Sequence, residues 1–256
     1  TLRDFHTLTR GMAKPFDARI SQAMDCAAEA LCEDIQGAQF AYTQSDEISV
    51  LVTDFGANAQ QWFGGELPKM LSISAGIASA EFTVELGTEY AVFDSRVFTI
   101  PDRHEAINYF LWRQADAVRN AIQALGQHHF SAKQMHGKKM PEVIMMLDGI
   151  GVTMDQVRTS DRVGRVITRD VRQEESTYVD GRTGKINTIL ATRHYWESKT
   201  APWFDWDEAG FLESNVPHRE ENSDNSTAAD DDVDAGPGSD RRISAAGTDS
   251  ERLAAG

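Results

Sequence analysis

The stretch YTQSDEISV, residues 42–50, constrains the fold of this chain more than any other. Two short runs rich in β-branched and aromatic residues, AQFAYTQ and ISVLVTDF, lie on either side of Ser45, Asp46 and Glu47. This pattern predicts a β-hairpin with both acids at its bend. Adjacent acids there have two interpretations. Exposed turns favour Asp, whereas Mg²⁺ binds one or two carboxylates together with substrate phosphate oxygens.

The segments around this hairpin predict two helices and a further strand. KPFDARISQAMDCAAEALCEDIQG has apolar residues at helical spacing, Asp17 as an N-cap and Gly37 just beyond its end. LPKMLSISAGIASAEF predicts a helix whose Ser, Ala and Gly face lets another element approach closely. YAVFDSRVFTIP predicts a strand that ends at Pro101.

The second half of the chain predicts more of both element types. DRHEAINYFLWRQADAVRNAIQALG predicts an amphipathic helix, N-capped near Asp102 and stopped at Gly126. MPEVIMMLDGIGV predicts a short helix, and the segment from residue 164 to residue 196 predicts strands around a DGRTGK turn. This order of elements predicts an α+β domain, an antiparallel sheet with helices packed on one face.

Charge is distributed unevenly along the 256 residues. The formal net charge is −15, but residues 205–256 hold 14 acids and 4 bases, which leaves 26 acids and 21 bases in residues 1–204. We expect one folded domain over residues 1–216. The segment 217–256, rich in Asp, Ser, Ala and Gly, predicts a disordered acidic tail. Because residues 1–204 are still mildly acidic, any contact with RNA must be local.

Targeting signals and cysteine pairs are not evident in the sequence. No run of about 18 apolar residues occurs, and the first residues lack the pattern of a signal peptide. Cys26 and Cys32 are spaced so that they fall on different faces of the predicted helix, so neither a disulfide nor a metal pair is expected. These features predict a protein of the reducing cytoplasm.

Several motifs in a fixed order resemble one known family. FHTLTRG, KPFD, YTQSDEIS, WF, PKMLSISAGIAS, FDSRVF and WRQADAVRN follow one another between residues 5 and 120, and the resemblance covers roughly residues 2–205. This series resembles the tRNA-histidine guanylyltransferase family and its 3′–5′ RNA polymerase-like relatives. The resemblance implies a polymerase-palm-like core with two Mg²⁺ ions and with ATP and GTP as substrates. It also implies addition of nucleotides to the 5′ end of tRNA in the 3′–5′ direction, by a homo-oligomer, a tetramer in the family.

The resemblance also implies roles for individual residues. In the hairpin, Asp46 matches a metal-binding catalytic aspartate, Glu47 matches the catalytic acid beside it, and Ser45 matches a small residue near the triphosphate. The remaining nucleotide-binding positions match Lys14 and Lys69 near the phosphates, and Asp17 and His6 near the base of the activating nucleotide.

Contacts with RNA or triphosphate are expected from a third group of residues. This group comprises Asp94, Arg96, Arg113, Asp116, Arg119 and Asn120. An alternative for the last four is a set of ion pairs on the helix surface, such as Arg113 with Asp116.

The chain departs from the family pattern at three places. The family's first metal aspartate lies in an Asp-Gly-Arg-x-Phe-His run, where this chain reads TLRDFHT. Either the N-terminus is truncated or rearranged, or Asp4 supplies the first metal ligand from a shifted position. Glu66 stands where eukaryotic members carry an arginine, and AVRN replaces their His-Ile-Asn-Asn run. The last departure resembles bacterial, archaeal and phage relatives and implies templated 5′-end repair rather than dedicated guanylylation of histidine tRNA.

Two other functions stay open at this point. The incomplete first metal run also fits a catalytically impaired RNA-binding paralogue or fragment of the same family. The weak positive charge also fits a palm-type enzyme that acts on free nucleotides, such as a cyclase.

Overall fold

A computed structural model describes residues 1–55, 59–206 and 210–218, apart from the side chain of His6. All of these residues belong to one compact unit, Thr1–Glu220. None of the helices in the described part of the chain has the length and apolar character needed to span a membrane. The predicted acidic tail falls almost wholly outside the described residues, so its disorder stays a prediction.

Helices and four strands follow one another along the described chain. The helices are α1 (Phe5–Leu8), α2 (Ala18–Asp34), α3 (Leu67–Leu86), α4 (Arg103–His129), α5 (Ala132–Met135), α6 (Met140–Asp148), α7 (Thr159–Val163) and α8 (Phe211–Asn215). The strands are β1 (Ala38–Gln44), β2 (Glu47–Val52), β3 (Arg165–Val179) and β4 (Ile186–Thr200). Short 3₁₀ turns lie at Trp62–Gly65 and Met154–Gln156.

The predicted hairpin is formed by β1 and β2. Gln44 pairs with Glu47, which leaves Ser45 and Asp46 as a two-residue turn. Ser45 has a φ of 49°, as two-residue hairpin turns demand of a central residue. Asp46 therefore lies in the bend, as predicted, whereas Glu47 is the first residue of β2 rather than a bend residue.

The four strands form one antiparallel sheet in the order β2-β1-β3-β4. The β1–β3 contact depends on Gly164, whose φ is +81°. A Cβ atom there would lie 2.5 Å from the hydroxyl oxygen of Tyr42 and 2.7 Å from the carbonyl oxygen of Thr43. Glycine is required at this position by both the backbone angle and the close approach.

Helices cover both faces of this sheet. Phe40 and Tyr42 of β1 pack with Phe110 of α4, whereas the intervening Ala41 packs with Ala28 and Cys32 of α2. The α+β class with an antiparallel sheet is confirmed, but the predicted packing of helices on one face is corrected. The apolar run Phe40-Ala41-Tyr42 has no polar alternation, as expected of a strand buried on both sides.

The strand predicted before Pro101 is not part of the sheet. This segment forms only an isolated antiparallel bridge, between Leu2 and Phe93. The backbone N–H of Arg3 donates to the carbonyl of Val92 over 2.8 Å. Its partner in the described chain is thus limited to residues 1–3, and a bridge this short gives no ladder of hydrogen bonds.

Helix α4 continues past its predicted end at Gly126, up to His129. Gly126 is buried, and a Cβ atom there would lie 2.6 Å from the methyl carbon of Met135 and 2.7 Å from a methyl carbon of Val143. This glycine serves close packing between helices rather than helix termination. The predicted short helix is confirmed as α6, and the predicted turn joins β3 to β4.

Candidate functional site

A cleft lies between the hairpin bend and the N-terminal end of α2. Four of the sequence-predicted site residues, from three separate motifs, line it: Lys14, Asp17, Ser45 and Asn120. The other lining residues come from α1 and the loop that follows it, α2, β1, α4, α7 and the start of β3: Phe5, Thr9, Met12, Ala13, Pro15, Phe16, Ile20, Ser21, Gln44, Ala117, Ala121, Ala124, Ser160, Asp161 and Arg165.

Asp17 is held as an anion at one side of this cleft. It caps α2 by accepting a hydrogen bond from the backbone N–H of Arg19 over 3.0 Å. Its other carboxylate oxygen accepts from the backbone N–H of Ala13 over 3.0 Å and pairs with the Arg19 guanidinium at 2.7 Å. The hydrogen bond from the Arg19 side chain holds the pKa of Asp17 well below its ordinary value.

Lys14 supplies a positive charge to the same cleft. Its ammonium donates a hydrogen bond to the Thr9 hydroxyl over 3.1 Å, and no carboxylate of the described residues forms an ion pair with it. The opposite wall is flat, because Ala117, Ala121 and Ala124 share one face of α4. A cation beside a flat apolar wall and hydrogen-bonding groups suits a nucleotide, with its phosphates at Lys14 and its base against the wall.

Asp46 is half-buried at the edge of the sheet. Its backbone carbonyl accepts from the N–H of Leu2 over 2.9 Å, which ties residues 1–3 to the bend. Asp4 follows two residues later, exposed, at the start of α1 with a φ of 54°. Neither carboxylate accepts a hydrogen bond from, or forms an ion pair with, any described residue.

These two carboxylates allow the expected magnesium site to be tested against the structure. No group of three or more His, Cys, Asp and Glu side chains suited to a metal occurs among the described residues. The donors therefore do not fit a metal cage closed by protein. They fit Mg²⁺ that takes its remaining ligands from substrate phosphates and water, the usual arrangement for this ion.

Glu47 is held by Arg113 of α4. Its carboxylate accepts from the Gln44 side-chain amide over 2.9 Å and forms an ion pair with the Arg113 guanidinium. Burial lowers the pKa of Arg113, and Asp116, Tyr42 and Asp46 oppose that shift. Because Arg113 is only 7% exposed, the structure favours a positioning role for it over direct contact with RNA or triphosphate.

The alternative interpretation of the WRQADAVRN helix, a set of ion pairs, is also present. Asp116 pairs with Arg113 at 3.8 Å and with Arg119. It also accepts from the Asn120 amide over 3.1 Å. Arg119 keeps 62% of its side chain exposed, so it can contact a ligand while paired, and Asn120 also lines the cleft.

Two further predicted site residues, Lys69 and Arg96, do not line the cleft. Lys69 is exposed in the first turn of α3 and pairs with Glu66 at 2.7 Å. Arg96 is exposed and pairs with Asp94 at 3.3 Å. The side chain of His6 lies outside the described part of the chain. Their roles stay predictions.

The sequence did not reveal Arg165 as a cleft residue. Its guanidinium pairs with Asp25 of α2 at 2.5 Å, and Asp25 also accepts from the Thr43 hydroxyl over 3.2 Å. Arg165 is 7% exposed. The one signal is a charged residue that opens the apolar run RVI directly after a glycine. Its partner 140 positions away is a tertiary contact that no local pattern encodes.

Comparisons with known proteins identify the family of this chain. A sequence model of tRNAHis guanylyltransferase matches residues 2–101. Among solved structures, a bacterial tRNA(His) guanylyltransferase-like protein in complex with ATP has a TM-score of 0.63 and 33% sequence identity, over 65% of this chain and 76% of that chain. The chain belongs to the tRNAHis guanylyltransferase family.

Other relatives cover different shares of the chain. A bacterial tRNA(His) guanylyltransferase-like protein in complex with GTP has a TM-score of 0.58 at 27% identity, over 79% of this chain and 80% of that one. The probable tRNA(His) guanylyltransferase of Homo sapiens is 29% identical over 130 residues, 47% of this chain and 42% of the human protein. Uncharacterized protein R259 of Acanthamoeba polyphaga mimivirus is 29% identical over 175 residues, 56% of this chain and 59% of the viral protein.

The chain thus spans about half the length of these two curated relatives. The family sequence model covers the hairpin bend, Lys14 and Asp17, but it ends before α4. Asn120 and Arg165, which complete the cleft, lie outside that match.

Proposed function

We propose that this chain is a nucleotidyltransferase that binds ATP or GTP and adds nucleotides to the 5′ end of tRNA in the 3′–5′ direction. The observation that supports this proposal best is the cleft itself, because it gathers Lys14, Asp17, Ser45 and Asn120 beside the Asp46 bend. Family relatives have been solved in complex with ATP and with GTP.

Each side chain then has a chemical task. Lys14 neutralises phosphate charge, and Asp17, which the Ala13 backbone N–H holds in place, lies near the base. Ser45 offers its hydroxyl at the bend, where its left-handed backbone turns it to the cleft. Phosphoryl transfer needs charge neutralisation and in-line positioning more than covalent help from protein groups.

Asp46, together with Asp4, would hold Mg²⁺ at the bend, and two ions are expected from the family. Bound Mg²⁺ supplies stabilisation of the charge on the transferring phosphoryl oxygens. Glu47 is fixed in direction because Arg113 pairs with it from the buried side of α4. Gln44 holds the same carboxylate from within the hairpin.

Templated 5′-end repair is the proposed task, rather than dedicated guanylylation of histidine tRNA. The support is the AVRN run of α4, which places Arg119 and Asn120 where eukaryotic members carry His-Ile-Asn-Asn. Ala117, which stands where those members carry the histidine, lines the cleft, so the substitution changes a residue that meets the nucleotide.

We also propose that the protein forms a homo-oligomer. The exposed apolar residues of α3 support this proposal. This 20-residue helix is apolar at most positions, yet only Ala78 and Phe82 are buried. Ile73 and Val84 are 40% and 78% exposed. A helix that is apolar around its whole circumference normally packs on all sides.

Incubation with Mg²⁺, labelled GTP and a tRNA that lacks its first nucleotide tests the proposal. We expect labelled tRNA from the wild type and a strongly reduced rate from Lys14→Ala. The matched control is Lys133→Ala, an exposed lysine outside the cleft, which should keep the wild-type rate. RNA binding with no transfer would favour the impaired paralogue, and a cyclic nucleotide product would favour the enzyme of free nucleotides.

A further inference from the structure

A second concave surface lies between α4 and residues 98–102, apart from the nucleotide cleft. We call it the aromatic groove, and its principal lining residues are Phe98, Ile100, Pro101, Asn108, Tyr109 and Trp112. Phe98 and Trp112, on opposite walls, are each 58% exposed. Large aromatic rings that stay this exposed in one groove mark a binding surface more often than an ordinary patch of surface.

Tyr109 holds the two exposed rings in place. Its ring centre lies 5.5 Å from that of Phe98 in an edge-on contact and 6.3 Å from that of Trp112. Its hydroxyl forms a 2.9 Å hydrogen bond with the Ser49 hydroxyl of β2. Because the floor of the groove is fixed in this way, little conformational entropy is lost when a ligand contacts the outer rings.

The aromatic groove is continuous with the proposed reaction centre. The Arg113 guanidinium lies 4.9 Å from the ring centre of Trp112, and the same guanidinium pairs with Glu47. Ser49, which anchors Tyr109, is two residues from Glu47 along β2, a distance of about 7 Å. The groove therefore begins within one helical turn of the Glu47–Arg113 pair.

We propose that the aromatic groove binds an unpaired base of the RNA strand opposite the 5′ end that is being extended. This inference rests on the proposed function, since templated extension leaves that strand single-stranded next to the reacting end. Aromatic rings stack with any base because every base has a π-face. The groove would thus hold the template beside the reaction centre without reading its sequence.

The charges of the groove favour a base over a phosphate and over a second protein chain. Asp102 and Glu105 also line it, and carboxylates repel phosphate but accept hydrogen bonds from the amino groups of bases. The core of a protein interface is normally depleted of charged residues. A groove that combines two acids with exposed rings therefore suits an RNA base that enters edge first, while the RNA backbone stays outside the groove.

Two RNA hairpins of the same stem, one with a 3′ overhang and one blunt, test the proposal with the full chain. We expect Trp112→Ala to weaken binding of the overhang hairpin roughly tenfold, in line with the loss of one stacked base, and to leave blunt binding unchanged. Trp112→Phe should restore most of the lost affinity. The matched control is Trp203→Ala, which removes an equally exposed ring outside the groove.

Phe98→Ala gives an independent variant, because Phe98 lies on the other wall from the Arg113 contact. It should also lower only the overhang affinity, with an unchanged melting temperature. Equal losses on both hairpins, no loss on either, or a change in oligomeric mass with Trp112→Ala would overturn the proposal. Wild type that prefers the overhang but transfers no nucleotide would instead refute the proposed function and leave the groove intact.

Discussion

Arg113 illustrates how a single buried charge can organise the site. Its family position predicts contact with RNA or triphosphate, but its side chain is buried and reaches Glu47 and Asp116 instead. The sequence alternative of an ion pair with Asp116 was therefore closer to the observed contacts. The partner that matters most, Glu47, lies 66 positions away and could not be read from helical spacing.

Replacing Arg113 should destabilise the protein more than replacing its exposed neighbour. Arg113→Met leaves Glu47 without its partner, and because Glu47 keeps 33% of its side chain exposed, we expect a loss of about 2 kcal/mol, below the range for fully buried pairs. Arg119→Met also loses an ion pair with Asp116, but from the surface, and should cost less than about 1 kcal/mol. Chemical denaturation of both variants measures the difference, and equal losses would contradict the positioning role.

Asp17 gives a prediction about pH. Its pKa in the folded protein lies below the ordinary value, so the stability that its charge contributes is present above about pH 4 and is lost as the pH falls further. Asp17→Asn keeps a capping oxygen but no charge. We expect a lower melting temperature for this variant than for the wild type at pH 7, and a difference that narrows as the pH falls below about 4. If the difference in melting temperature between the two proteins stays constant down to pH 2.5, the charge of Asp17 contributes nothing to stability.

At the scale of elements, local patterns predicted what local chemistry decides. The hairpin, the N-caps at Asp17 and Asp102, and helices α2, α3 and α6 are observed as predicted. The placement of helices on both faces of the sheet was not predicted, and the predicted strand before Pro101 is not part of the sheet. Both depend on which surfaces meet in three dimensions. Phe40, Ala41 and Tyr42 form a strand in either arrangement, and only α2 and α4 together reveal that both faces are covered.

Gly126 belongs to this scale, because its role depends on α4, α5 and α6 together. Gly126→Ala should destabilise the protein by roughly 1–2 kcal/mol. The crowding against Val143, whose β-branched side chain is stiff, outweighs the gain of about 1 kcal/mol in helix propensity.

Gly76 of α3 is the matched control for this prediction. A Cβ atom at Gly76 would meet no atom within 4 Å. Gly76→Ala should therefore raise stability by up to about 1 kcal/mol. Thermal melting of the two variants tests both predictions. A higher melting temperature for Gly126→Ala than for the wild type would show that Gly126 is not needed for close packing between the helices.

At the scale of the whole molecule, the acidity of the chain is concentrated outside the site. Residues 218–256 carry 10 acids and 4 bases and almost no large apolar residue. We expect truncation after Pro217 to leave melting temperature and nucleotide transfer unchanged. RNA affinity should rise slightly at low salt, because less negative charge then opposes the polyanion. Loss of folding or of activity at constant salt would contradict the prediction that the tail is disordered and dispensable.

The family motifs predicted four residues that the fold brings to one cleft, namely Lys14, Asp17, Ser45 and Asn120. Arg165 and the alanine wall of α4 were missed, since a residue type alone does not show which side of a helix or strand end faces a cleft. The proposed mechanism connects these cleft residues with the hairpin through one role, that of Asp46 as a ligand of Mg²⁺.

Magnesium titration followed by thermal melting and by nucleotide transfer to tRNA, run on wild type and on Asp46→Asn, tests that role most directly. We predict that Mg²⁺ raises the melting temperature of the wild type and supports transfer. Asp46→Asn should lose both effects while folding normally, with a melting temperature equal to or slightly above that of the metal-free wild type, because neighbouring carboxylates no longer repel one another. If both proteins show the same magnesium-dependent shift and the same transfer rate, Asp46 is an ordinary turn residue and the proposed mechanism is wrong.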